Sequence, residues 1–140
     1  MSAITGLILA AEDEETDRFI LNLAFERAAV PASVVMVNDG AECVDYLRGN
    51  GRFADRALHP LPTLLLLDLK MPRMHGFEVL EWLGTQPELK DLPAVVLSSS
   101  SDESDIQKAR RLGARDYFVK PQSLDDLVGI LHQVYERWMR

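Results

Sequence analysis

One cysteine, Cys43, stands in a chain of 140 residues. A disulfide needs two thiols and a thiolate zinc centre needs more, so neither can staple this fold, and the count fits a reducing cytosol. Long apolar runs are missing as well. The N-terminal run, Leu7 to Ala11, has no basic segment before it and runs straight into acid, so it does not read as a secretory signal. No stretch approaches the ~20 apolar residues that a membrane span requires. Basic charge is in deficit, with 15 Lys plus Arg against 22 Asp plus Glu and a net charge of −7. A general nucleic-acid binder presents a basic face, so neither nucleic acid nor membrane is expected as a partner. Repeats are absent, and the nearest thing to a low-complexity segment is Ser98 to Ser101. The chain is expected to form a single cytoplasmic domain over residues 1–140, with no output domain.

What is present is ordinary in bulk and ordered in detail. The apolar fraction is 47% and the charged fraction 26%, close to an average globular protein. Short apolar runs alternate with amphipathic stretches. Ile4–Ala10, Ser33–Val37, Thr63–Leu67, Pro93–Leu97 and Asp116–Val119 read as strands. Between them the pattern predicts a helix over Glu14–Ala29, with Phe19, Leu23 and Phe25 to Ala29 near one face. A second helix comes after Asp39-Gly40 and runs through Tyr46 and Leu47. A third spans Gly76–Gly84, and a fourth, Glu103–Leu112, is closed by Gly113. Ser123 caps a last helix carrying Leu124, Leu127, Val128, Leu131, Val134 and Trp138 at helical spacing. Asn50 to Pro62 reads as a polar surface loop. Apolar strands buried on both faces imply a parallel sheet with helices on each side. The expected fold is therefore α/β, a flavodoxin-like doubly wound sheet of five strands in the order 2-1-3-4-5 with five helices.

In open parallel sheets, ligands bind beyond the carboxyl ends of the strands. Strand one exits into Glu12 and Asp13, strand three into Asp68, strand four into Ser98, and strand five into Lys120-Pro121. Strand two exits into Asn38-Asp39, at the edge. Three carboxylates, a hydroxyl and an ammonium thus share one rim. The carboxylates repel, so at least one should have a raised pKa unless Lys120 and a hard divalent cation relieve it. Mg²⁺ suits carboxylate and carbonyl oxygens, and no histidine falls at a strand end to favour zinc. A carboxylate beside such a cation can accept a phosphoryl group, with lysine and metal balancing the charge. Asp68, on the central strand, is the best acceptor, and Glu12 and Asp13 are better placed as metal ligands.

Each residue alone has an ordinary reading. Acids favour a helix start, Asp ends many turns, and a lone Lys is usually solvated. The weight lies in their arrival at different strand ends on one edge. Other features stay plain. Cys43 reads as a small buried residue, His59 as a surface residue beside prolines, His132 as structural or exposed, and Lys108, Arg110 and Arg111 as a solvated basic patch.

The segments LILAAEDEE, LLLLDLKMPRMHGFEVL, LPAVVLSSS and LGARDYFVKP together resemble the receiver domain of bacterial two-component response regulators over essentially the whole chain. The resemblance implies Asp68 as phosphoacceptor and Mg²⁺ held by Glu12, Asp13, Asp68 and the backbone carbonyl of Lys70. It places Ser98 at the switch hydroxyl, Tyr117 at the aromatic switch that turns inward on phosphorylation, and Lys120 at the family's lysine, followed by a cis bond to Pro121. His75 departs from the pattern, standing where Asp is frequent, and Ala10-Ala11 stands where a bulkier residue is common. The long stretch YLRGNGRFADRALHPLP is similar to that of stand-alone regulators such as the phytochrome-linked receivers of cyanobacteria, some of which pair as homodimers.

The resemblance thus implies a phosphorylation switch and not an enzyme. A sensor histidine kinase, phytochrome-like or hybrid, would donate the phosphoryl group, and a changed surface of the fourth helix, fifth strand and fifth helix would reach an unknown downstream protein. An intermediate shuttle in a phosphorelay is the alternative. A haloacid dehalogenase-like phosphatase would need an acid two residues after Asp68, where Lys70 stands. A flavin carrier would need a phosphate-binding loop where AEDEE stands, and that loop repels phosphate. A receiver reduced to a scaffold would have lost Asp68 or Lys120.

Overall fold

The computed structural model describes residues 6–140, so Ile4 and Thr5 of the expected first strand lie outside the described residues. Five strands, β1 (Leu7–Ala11), β2 (Ser33–Val37), β3 (Leu64–Leu67), β4 (Ala94–Ser98) and β5 (Asp116–Val119), form one parallel sheet in the order β2-β1-β3-β4-β5. Five helices connect and follow them: α1 (Glu15–Ala28), α2 (Gly40–Arg48), α3 (Gly76–Gly84), α4 (Glu103–Arg111) and α5 (Leu124–Trp138). Among the described residues no helix is long and apolar enough to cross a membrane.

Strand alternation sorts the core into two layers. On one face of the sheet, Leu7, Leu9, Leu65, Leu67 and Val96 pack with Cys43 and Tyr46 of α2, Val79 and Leu80 of α3, and Ala109 of α4. On the other, Ile8, Ala10, Leu64, Leu66 and Val95 pack with α1 and α5. The four leucines of β3 are all buried because the strand is central, with neighbours on both edges and both faces. Burying one such side chain stabilises by about 1.5–3 kcal/mol, so β3 anchors the sheet from which Asp68 emerges.

The α1 stripe differs from the expected one. Phe25 and Ala28 face the core as expected, but Leu21 and Ala24 join them there, whereas Phe19 is 69% exposed. Phe19 falls outside the series set by i, i+3, i+4 from Leu21, so helical phase puts it on the solvent side. The stretch expected as a polar surface loop also holds more structure. Gly51–Phe53 forms a 3-10 turn, Phe53 is buried, and Tyr46, Phe53 and His59 pack tilted and edge-to-face with ring centroids 5.0–5.9 Å apart. Arg56 closes that segment by donating to the carbonyls of Tyr46, Leu47 and His59, which ties it to the end of α2. His59 is therefore half-buried in an aromatic cluster rather than on the open surface. Ser123 caps α5 as its sequence position implies, accepting from the Asp126 N–H.

Candidate functional site

The parallel register assembles the site. Ala11 pairs with Leu67, and Ser98 pairs with Val119. The next residue on each chain leaves the sheet at the same level. Its N–H still reaches a neighbouring carbonyl: Glu12 to Val37, Asp68 to Ala11, and Lys120 to Ser98. Glu12, Asp68 and Lys120 are therefore held by ladder hydrogen bonds before their side chains meet. Gly76 seals the rim from below. A Cβ there would collide with the Asp68 carbonyl oxygen, so only glycine lets α3 start this close to the acceptor strand.

The side chains converge on Lys120. Its ammonium donates to Glu12 Oε1 at 2.6 Å, Asp17 Oδ2 at 2.8 Å and Asp68 Oδ2 at 3.1 Å. The other oxygens are engaged as well: Glu12 Oε2 accepts from Glu14 N–H at 3.2 Å and Asp68 Oδ1 from Leu69 N–H at 2.7 Å. Glu12 and Asp68 are buried, and Asp13 is half-buried. Among the described residues, no hydrogen bond or ion pair reaches the Asp13 carboxylate. Glu12, Asp13 and Asp68 each offer an oxygen within 4.8 Å of the other two. An all-carboxylate set of this spacing, with one member lacking a counter-donor, fits a hard divalent cation.

The electrostatics follow from burial. Glu12 is pushed up to about 7, first by its burial and then by the Asp68 charge, against the pull of Lys120. Repulsion among the acids is thus the smaller cause at the carboxyl that shifts. Burial pulls the Lys120 ammonium down, but hydrogen bonds to Asp17 and Glu12 and the charge of Asp68 outweigh it, so it sits above the ordinary lysine value.

Ser98 is fully buried at the end of β4, its Oγ accepting from Ser100 N–H at 3.2 Å. Ser100 in turn donates to Asp105 Oδ2 of α4 at 2.6 Å. Tyr117 lies inward, its hydroxyl donating to the Ser100 carbonyl at 2.8 Å in a buried contact. Ser98, Tyr117 and α4 are therefore joined through one residue, Ser100. Lys70 is exposed, two residues beyond Asp68. The Lys120–Pro121 bond differs from the resemblance: among the described residues no peptide bond is cis, so this one is trans. The two isomers of an X-Pro bond differ by only about 0.5–1 kcal/mol, which leaves the choice to local packing. His75 caps α3, its Nδ1 accepting from Phe77 N–H while its own backbone N–H donates to Glu78.

Strand-end reasoning misses Asp17, Arg18, and the pair of Asp39 with Arg73. Asp17 sits four residues before Leu21, on the inward face of α1, and that spacing is the signal that points it at the site. Arg18 Nη1 holds the carbonyls of Glu12 and Asp13 at 3.1 and 2.6 Å. Asp39 caps α2 and is gripped at 2.8 Å by both Nε and Nη2 of Arg73. That pair fastens the loop between β3 and α3 to α2.

The chain is similar in sequence and fold to known proteins. A response regulator from R. palustris, RPA3017, described in red light signalling, is similar at 36% identity and a TM-score of 0.90, covering 96% of this chain and 94% of that one. The phosphorylated cyanobacterial phytochrome response regulator RcpA is similar at 37% identity and a TM-score of 0.85, covering 95% and 93%. The Mn²⁺-bound form of response regulator Rcp1, from Synechocystis, is similar at 28% identity and a TM-score of 0.83, covering 96% and 95%. The model of the response regulator receiver domain matches residues 8–132. With that match over most of its length, and the acidic rim and lysine at its strand ends, the chain belongs to the response regulator receiver domain family.

Proposed function

We propose that this receiver is a phosphorylation switch in which Asp68 accepts a phosphoryl group from a sensor histidine kinase. The observation that carries the reading is the Lys120 ammonium set 2.6 and 3.1 Å from carboxylates of two adjacent strand ends, Glu12 and Asp68. A carboxylate oxygen of Asp68 attacks phosphorus, the bond to the donor's histidine nitrogen breaks, and that nitrogen keeps the electron pair. Lys120 is placed to meet the negative charge that spreads over the phosphoryl oxygens. Glu12, Asp13, Asp68 and the Lys70 carbonyl would hold Mg²⁺, which neutralises charge on those same oxygens. That the related Rcp1 has a Mn²⁺-bound form supports a divalent ion in this receiver as well.

The signal then passes through Ser98 and Ser100. Ser98 Oγ, released from Ser100 N–H, turns toward the phosphoryl group. That shifts the loop whose carbonyl Tyr117 holds and whose hydroxyl binds α4. A new charge of roughly −1.5 to −2 on the rim is the bias, by analogy with other phosphorylated side chains. The changed face of α4, β5 and α5 contacts a downstream protein or a second copy of the chain. The likeness to a phytochrome response regulator and to one in red light signalling supports a phytochrome-like kinase as donor.

The direct experiment is to incubate the protein with acetyl phosphate and Mg²⁺ and weigh it. The expected result is a phosphoryl mass gain that EDTA prevents and Asp68→Asn abolishes. A gain that survives in Asp68→Asn overturns the assignment.

A further inference from the structure

An ammonium has three hydrogens, and here each has its own carboxylate. Two of the partners, Glu12 and Asp68, stand at strand ends, and the third, Asp17, stands in the first turn of α1. Asp17 is the most exposed of the three, with 37% of its side chain open to solvent. It shares the wall of a 230 Å³ cleft with Glu12, Lys120, Leu21 and Leu124, between α1 and the start of α5. It therefore approaches Lys120 from α1 and not from a strand end, on the wall of that cleft.

Phosphorylation of Asp68 changes the balance at Lys120. The carboxylate becomes an acyl phosphate, its charge moves outward to the phosphoryl oxygens, and the hydrogen bond that Lys120 donates to Asp68 must be redirected to one of them, the proton staying on nitrogen. With Glu12 as the only remaining anchor, the amine would swing on a flexible four-carbon stem. The geometry points to Asp17 as a positioning residue for phosphoryl transfer, holding the Lys120 ammonium from α1 while its third N–H exchanges Asp68 for the phosphoryl group as acceptor. The inference rests on Asp68 being the acceptor. It also makes α1 a structural participant in the chemistry, because the first turn of that helix sets where the amine points.

The competing role for Asp17 is purely local. An acid in the first turn of a helix is stabilised by the helix dipole, as Glu15 is beside it. The two roles separate in the variants Asp17→Ala and Asp17→Asn of the full chain. Asparagine keeps an acceptor oxygen at the same reach, whereas alanine keeps none, and both remove the charge that the dipole favours.

Three measurements decide. The first is the ¹⁵N–¹H signal of the Lys120 ammonium in unphosphorylated protein, slowly exchanging when all three hydrogens are bonded. It should be present in the parent and in Asp17→Asn, and lost in Asp17→Ala. The second is the rate of phosphorylation by acetyl phosphate at saturating Mg²⁺. Asp17→Ala should be roughly 5- to 20-fold slower, the scale expected when a charge-stabilising group loses its fixed position, and Asp17→Asn should recover most of that loss. The third is the thermal melt, which should show both variants cooperatively folded at the assay temperature, so that a slower rate in Asp17→Ala is not a loss of folded protein. An Asp17→Ala rate within about twofold of the parent overturns the inference, since a misplaced amine must cost more than that. Equal rates in the two variants also overturn it, and point to the dipole role. If the parent takes up no phosphoryl group at all, the acceptor reading fails. The ammonium signal then still tells whether Asp17 holds Lys120, and an unchanged signal in Asp17→Ala refutes that hold.

Discussion

Lys120→Met tests the electrostatic centre of the site. Methionine keeps an unbranched apolar stem and deletes the ammonium that Glu12, Asp17 and Asp68 share. Removing one partner of a buried ion pair costs about 3–5 kcal/mol, because the other charge stays buried without compensation. Here the side chain of Lys120 is 20% exposed and that of Asp17 37%, so water repays part of the loss. The expected destabilisation is about 2–3 kcal/mol, a fall of roughly 8–12 °C in the melting midpoint for a domain of this length. Lysine here has its pKa raised above the ordinary 10.5. A raised lysine pKa contributes stability that is complete below the unfolded value and lost only as pH climbs past the folded one. The contribution of Lys120 should therefore be steady from about pH 7 to 9. Magnesium supplies a second check. A ligand at a hundred times its Kd stabilises by about 2.7 kcal/mol, and more where it binds more tightly. The acids stripped of Lys120 should bind the cation more tightly, so Mg²⁺ should raise the variant's midpoint further than the parent's. Thermal melts in EDTA and in Mg²⁺ measure both effects. A variant melting within about 2 °C of the parent in EDTA, or an equal Mg²⁺ response in the two proteins, would refute the placement of Lys120 as the counter-charge of the rim.

Glu12 and Arg73 give two further expected outcomes. Glu12, raised from 4.5 to about 7 chiefly by burial, stands beside Asp68 and Lys120. Its folded pKa exceeds its unfolded one, so the stability it contributes is present below 4.5 and lost as pH rises through about 7. In EDTA, urea midpoints should fall across that window, and Glu12→Gln should flatten the fall; a Gln variant with the parent's slope would assign the effect elsewhere. Arg73 holds a left-handed backbone, φ 63°, while it grips Asp39. Arg73→Ala and Arg73→Gly both lose the grip, but only alanine keeps the strain of about 1–2 kcal/mol, so glycine should be the more stable of the two in urea unfolding. The opposite order would show that the loop is not strained.

Why the strand-end residues are legible in the sequence, and the helix and loop residues are not, has a physical reason. A parallel sheet is a ruler. Once β1, β3, β4 and β5 are recognised as buried runs, period-two alternation and a common register put the next residue of each chain on the same edge. Glu12, Asp68 and Lys120 need no further information to meet, and Ser98, the last residue of β4, arrives at the same edge. Because both faces of β3 are core and its four residues are all leucine, the run alone leaves its register open, and Asp68 sets the level, since a slip of one residue that drew it into the strand would bury a charge in the core.

A helix offers no such ruler until its phase against the sheet is known. The expected stripe is right at Phe25 and Ala28 but continues toward the N-terminus through Leu23 and Phe19 where the true one runs through Ala24 and Leu21, and that phase error hides Asp17, which belongs to the inward series. The pairing of Asp39, itself a strand-two exit, with Arg73 is hidden for a second reason. Their pairing depends on a left-handed turn at Arg73 and on the approach of the Met74 carbonyl to Gly40, where an added Cβ would collide with it. Neither feature has a periodic signature. The chemistry of the rim thus comes in two layers. The groups that the sheet register delivers are recoverable from sequence, and the groups that hold them in place, Asp17 on Lys120 and Arg18 on the carbonyls of Glu12 and Asp13, come from α1 and require its rotation to be fixed. Since α1 is set by its packing on α5 and on Ile8, Ala10 and Leu66, a core substitution on that face should reach the site through Lys120 before it reaches Asp68.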